Sequence, residues 1–108
     1  MDRKVEIIKL HAEYECSPLW GIGPQTVENI DPQNLPISQE LKLIVYEWQQ
    51  RFDETLNRED PRNSGFKSNE QLIDFDADGW EIWRRLSQEL DGFYRIQYFS
   101  VVDRKLFE

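Results

Sequence analysis

Ile8, Leu10, Ala12 and Tyr14 alternate with Lys9, His11 and Glu13, a period of two that predicts a strand over residues 4–14. Val5 and Ile7 fall on the opposite face, so the phase slips between Ile7 and Ile8. A strand buried on both faces at one end, or a bulge, accounts for the slip. Residues 15–37 lose the pattern. Pro18, Gly21, Gly23, Pro24, Pro32 and Pro36 punctuate them and predict a long irregular connection, with short extended pieces around 19–22 and 26–30. A connection of this length in a small domain is often functional.

The period then changes. Leu41, Ile44, Val45, Trp48 and Phe52 share one helical face, and Ser38 follows Pro36 as a start signal, with Glu40 in the positive first turn. This first helix is expected to fray near Asn57. Residues 57–68 form a polar turn broken by Pro61 and Gly65. Ser68 followed by Gln71 reads as a capping box for a second helix. Its buried stripe is Leu72, Phe75, Gly79, Ile82, Leu86 and Leu90, and Gly92 is placed to end it. Tyr94, Ile96 and Tyr98 alternate with Arg95 and Gln97 as a further strand, continued by Phe99, Val101 and Val102. A turn at residues 103–105 then leads to a short tail, Leu106 and Phe107. The order strand, loop, helix, helix, strand implies an α+β fold with a single domain over 1–108. A small sheet of at least two strands is covered on one face by an antiparallel helix pair. Trp48, Phe52, Phe75, Ile82 and Leu86 are expected to be buried, and an exposed sheet edge leaves room for a homodimer.

Aromatic residues make up 13% of the chain, which separates it from disordered acidic chains although 31% of it is charged. Cys16 is the only cysteine, so no internal disulfide can form, and a lone thiol suits a reducing cytoplasm. The start, MDRKVEIIKL, shows neither a signal-peptide pattern nor a long apolar run, and no stretch approaches a membrane span. A cytoplasmic location is expected.

The formal net charge of −8 is unevenly distributed: residues 13–60 hold ten acids against Lys42, Arg51 and Arg58, whereas 1–12 and 93–108 are each net +1. Such asymmetry bears on partners and association rates rather than on fold. It favours basic surfaces and disfavours nucleic acid, membranes and acidic substrates.

Candidate chemistry is sparse. Asp74, Asp76, Asp78 and Gly79 match the opening of a calcium loop, D-x-D-x-D-G. The twelfth position is Arg85, where a bidentate acid is required, and Phe75 and Gly79 belong to a helical stripe, so no calcium binding is expected. Gly21-Ile22-Gly23 lacks the lysine and helix start of a phosphate loop. His11 is the sole histidine, Ser64 has no nucleophile-elbow context, and no acid pair is marked by its spacing. No catalytic residue, metal ligand or cofactor site is expected, and the chain reads as a non-enzyme.

The polar faces carry more information. Glu40, Glu47 and Glu54 recur every seven residues on the first helix, away from its apolar stripe. Glu70, Asp74, Asp78 and Glu81 line the polar face of the second. Like charges three or four apart slightly destabilise a helix, so the fold gains nothing from them. Trp80 falls at the edge of the second stripe. An aromatic anchor rimmed by acids has the form of a protein-binding hot spot. The alternative is an ordinary solvated face with Trp80 packed under the 15–37 loop. Trp20, within that loop, is the fallback contact.

Several phrases occur together: Ser17-Pro18-Leu19-Trp20, Asn29-Ile30-Asp31-Pro32, Leu35-Pro36, Leu56-Asn57 with Asp60-Pro61, Ser64-Gly65-Phe66, and Phe75 four residues before Gly79. They resemble small acidic bacterial immunity proteins of contact-dependent growth inhibition and other polymorphic toxin systems. That resemblance implies a cytoplasmic, non-enzymatic inhibitor that covers the active site of a cognate, often basic nuclease, toxin domain. It transfers no site residues. The alternative function is a housekeeping or regulatory interaction module with another basic partner.

Overall fold

The period-two run becomes β1 (Ile7–Leu10), the central strand of a five-stranded sheet in a computed structural model that describes residues 6–108. The strand is shorter than the pattern implied. His11 donates its backbone N–H to Pro18 O at 2.8 Å as the chain turns back, and Glu15 passes through φ 62°. Tyr14 leaves the strand line and stacks on Phe52 instead, with centroids 4.5 Å apart. Val5 lies outside the described residues.

The 15–37 segment departs most from expectation, because its two extended pieces are a β-hairpin. β2 (Leu19–Gly23) and β3 (Thr26–Asn29) pair antiparallel across the two-residue turn Pro24–Gln25, with Gly23 opposite Thr26. Pro24 sits in the turn, where its fixed φ helps and its missing N–H costs nothing. β4 (Arg95–Ser100) runs parallel to β1, and β5 (Lys105–Phe107) completes the order β3-β2-β1-β4-β5.

α1 (Gln39–Asp53) starts where Ser38 Oγ accepts the Leu41 N–H at 3.1 Å. It stops before Asn57 because Thr55 turns away: its hydroxyl donates to Phe52 O at 2.6 Å, and its carbonyl accepts Gly65 N. α2 (Asn69–Glu89) starts with Ser68 Oγ accepting the Gln71 N–H, while Gln71 Oε1 reaches the backbone N–H of Lys67. The capping box is therefore displaced by one residue. Gly92, at φ 85°, releases the chain from the helix.

Both helices cover the same side of the sheet. Ile8, Leu10, Leu19, Ile96 and Tyr98 meet Leu41, Val45, Trp48, Phe75, Ile82 and Leu86 in one core. Trp48 stacks on Phe75 at 4.3 Å and donates Nε1–H to Phe75 O at 2.9 Å. Four of the five side chains expected to be buried are so. Phe52 is half-buried at the end of the core, against Phe75, Phe66 and Tyr14. Leu72, assigned to the buried stripe, is also only half-buried. Among the described residues no helix covers the other side of the sheet, and Ile7, Lys9, Trp20, Ile22, Gln97 and Phe99 are half-buried there.

Candidate partner-binding site

The seven-residue spacing on α1 is close to two helical turns, so Glu40, Glu47 and Glu54 lie in a row. Glu54 is the C-cap, still in helical conformation at φ −66°. On α2, Glu70, Asp74, Asp78 and Glu81 are all exposed. The two rows face one another across the seam between the helices. Arg51 Nη1 reaches Asp78 Oδ2 at 2.6 Å, and Arg85 Nη1 reaches Glu40 Oε1 at 2.7 Å. A bridge from the end of α1 to the first half of α2, and another from the start of α1 to the end of α2, requires the helices to be antiparallel.

Glu47, Asp78 and Glu81 line a groove of about 500 Å³ between the helices, floored by Ile44, Trp48 and Ile82. Glu54 and Asp74 line an adjoining cleft of about 570 Å³ beneath the 55–67 connection, and Arg51 borders both. Six of the seven expected helix acids thus converge on one tract, with Glu70 farther out on the first turn of α2. Glu47, Glu54, Glu70 and Asp74 carry no ion pair among the described residues. Glu81 is held below the ordinary carboxylate range by a hydrogen bond from Arg84, so it is charged at neutral pH.

The two tryptophans lie elsewhere. Trp80 does not stand beside the acids: about 100° of rotation per residue puts it some 120° round α2 from them. It also does not pack under the 15–37 connection. It is half-buried over the sheet, edge-on to Tyr98 at 4.7 Å, Phe107 at 5.1 Å and Trp83 at 5.7 Å. Trp20 is on the opposite face of the sheet, where its Nε1–H donates to His11 O at 3.0 Å.

Two features escaped the sequence reading. The cross-seam roles of Arg51 and Arg85 depend on how the helices are rotated, although Arg85 follows Asp78 by seven and precedes Glu89 by four, which places all three on one side. Asp76 is buried, and its Oδ1 accepts hydrogen bonds from Tyr98 Oη at 2.7 Å, Ser100 Oγ at 2.9 Å and Val101 N at 3.1 Å. It falls on the stripe between Leu72 and Gly79, a position at which the helical wheel alone marks it. The D-x-D-x-D-G run is therefore continuous helix, with Asp76 turned inward and Asp74 and Asp78 outward. Burial, with the hydrogen bond and charge of Asp76, pushes the Tyr98 phenol far above its ordinary value and keeps it a donor.

A protein-family model described as Serratia CdiI immunity protein-like matches residues 6–101, which include both helices and four of the five strands. No curated protein matches the chain. Among the described residues no helix is long and apolar enough to cross a membrane.

Proposed function

The chain belongs to the Serratia CdiI immunity protein-like family, and from that membership we propose that it acts in the cytoplasm as a non-enzymatic inhibitor, binding a cognate toxin domain through its helix layer and covering the toxin's active site. The supporting observation is the acidic tract along the α1–α2 seam, where six carboxylates lie beside three lining cations, Arg51, Arg85 and Lys67. Exposed like charges do not stabilise the fold, so their concentration on one layer is better explained by a basic partner, such as a nuclease domain whose own site attracts phosphates. Steering by such a field speeds encounter by orders of magnitude at low salt, and speed matters when free toxin does damage.

The test is stopped-flow association with the cognate toxin domain. Asp74→Lys is the cleanest reversal, because Asp74 has no ion-pair partner among the described residues, whereas Asp78→Lys also breaks the Arg51 bridge. Slower association for Asp74→Lys, Glu54→Lys and Glu47→Lys, with unchanged unfolding curves, supports the reading. Unchanged rates for all three would move the interface off the helix layer.

A further inference from the structure

We propose that the apolar groove between α1 and α2 receives one lysine or arginine side chain of the toxin domain, seated between the two arginine bridges. This rests on the helix layer being the toxin-binding surface.

The groove has a defined length and a defined gap. Its ends are crossed by Arg85–Glu40 and Arg51–Asp78, and the eleven helical steps from Glu40 to Arg51 span about 16 Å. Between these bridges the floor is apolar, made by Ile44, Ile82 and the edge of Trp48. Two further carboxylates, Glu47 and Glu81, line it. Among the described residues Glu47 has no ion pair, and the partner of Glu81 is Arg84, which does not line the groove.

That combination fits a long basic side chain. Its methylenes lie along the apolar floor while its cationic head reaches the carboxylates, the usual division of labour in lysine and arginine. Charge-assisted hydrogen bonds to two acids would hold the head. The protein already houses its own arginine in this way. Arg85 is only 23% exposed as it crosses the groove to Glu40, while also reaching Glu89 on its own helix, and the Arg51 guanidinium lies 5.4 Å from the Phe75 ring centre. A neutral apolar side chain would meet the floor and leave Glu47 and Glu81 partly desolvated, an arrangement that disfavours it.

The experiment compares four charge-neutralising variants, Glu47→Gln, Glu81→Gln, Glu54→Gln and Glu70→Gln, each binding the cognate toxin domain, with thermal unfolding as a folding control. Each removes one unit of negative charge, so diffuse steering treats them alike. An anchored side chain does not: Glu47→Gln and Glu81→Gln should speed dissociation about tenfold, Glu54→Gln and Glu70→Gln about twofold or less. One Lys→Ala or Arg→Ala variant of the toxin should then abolish the difference between wild type and Glu47→Gln. Equal small losses in on-rate for all four, with dissociation unchanged, overturn the anchored cation and leave the steering surface standing. Unchanged binding for all four removes the surface itself. Tighter binding by Glu47→Gln, with loss on Ile44→Ser, would assign the groove to an apolar side chain and also overturn the proposal.

Discussion

Asp76 is the residue whose role is least apparent from its chemistry. A buried carboxylate is costly unless it is hydrogen-bonded, and here Tyr98, Ser100 and Val101 all donate to it. Ser100 Oγ in turn accepts the backbone N–H of Asp103 at 3.0 Å, so the carboxylate ties α2 to the turn that precedes β5. Asp76→Ala would leave a hydroxyl and an amide without their carboxylate acceptor, and the buried Tyr98 phenol with only the long 3.4 Å contact to the Asp76 carbonyl. We expect a loss of about 3 kcal/mol or more in urea unfolding, with Asp76→Asn milder because one acceptor oxygen survives. A loss under about 1 kcal/mol for the alanine variant would show that water replaces the carboxylate. Gly79 makes the neighbouring case. Alanine is ordinarily better than glycine inside a helix by about 1 kcal/mol, yet a Cβ here would lie 2.7 Å from Tyr98 Cζ and 2.8 Å from Trp48 Cζ2. Both rings are buried and cannot give way. Gly79→Ala should therefore destabilise by about 1–3 kcal/mol, and a rise in melting temperature would contradict this packing.

At the scale of elements, the helix pair is clamped at one end by Glu89. Its Oε1 accepts the Ser38 backbone N–H at 2.6 Å and its Oε2 the Ser38 hydroxyl at 3.0 Å, so the end of α2 holds the start of α1. Burial works against the charge, but these two bonds and Arg85 outweigh it and hold the carboxyl below its ordinary value. A lowered acid value means that the clamp is complete above the unfolded value of about 4.3 and is lost as pH falls through the folded one. Stability should therefore drop below about pH 5, and Glu89→Gln should flatten that slope in unfolding midpoints measured from pH 6 to 3. An unchanged slope would place the acid sensitivity in other carboxylates. The helices themselves were legible, because Ser38 and Ser68 cap long stripes of period 3.6 and Gly92 ends the second. β2 and β3 were legible only as short extended pieces around 19–22 and 26–30, without their pairing, and β5 only as a tail. β3 reads Thr-Val-Glu-Asn and sits at an edge with Val27 66% exposed, and β5 has three residues, so neither has an inner apolar face to alternate. The hairpin's Gly23 and Pro24 resemble loop punctuation because a tight turn uses the same residues. The site divides similarly. The acids were visible from spacing alone, whereas the arginines between them and the inward turn of Trp80 depend on helix rotation against the sheet.

For the whole molecule, the uneven charge of the sequence becomes a difference between two faces. The helix layer carries the acids, whereas the other side of the sheet displays, among the described residues, Lys9 and Arg95 with Trp20 and Phe99, Arg95 being paired with Glu108. Net charge and local field can therefore be separated by experiment. Asp74→Lys and Lys9→Glu each change the formal charge by two, in opposite directions, on opposite faces. If only net charge steered a basic toxin, Lys9→Glu would speed association as much as Asp74→Lys slows it. Exposed charges farther apart than a Debye length of about 8 Å are largely screened at physiological salt, so the face that docks should dominate. We expect Asp74→Lys to slow association severalfold at 150 mM salt and Lys9→Glu to change it by less than about twofold, the gap narrowing towards 1 M salt as the Debye length falls to about 3 Å. Trp80→Ala belongs to a different category. Its ring packs on Tyr98 and Phe107, so the truncation should lower the unfolding midpoint first and alter toxin dissociation only as β5 loosens. Equal and opposite effects of the two reversals would mean that the molecule acts as a single charge, and a dominant effect of Lys9→Glu would place the toxin on the sheet face beside Trp20.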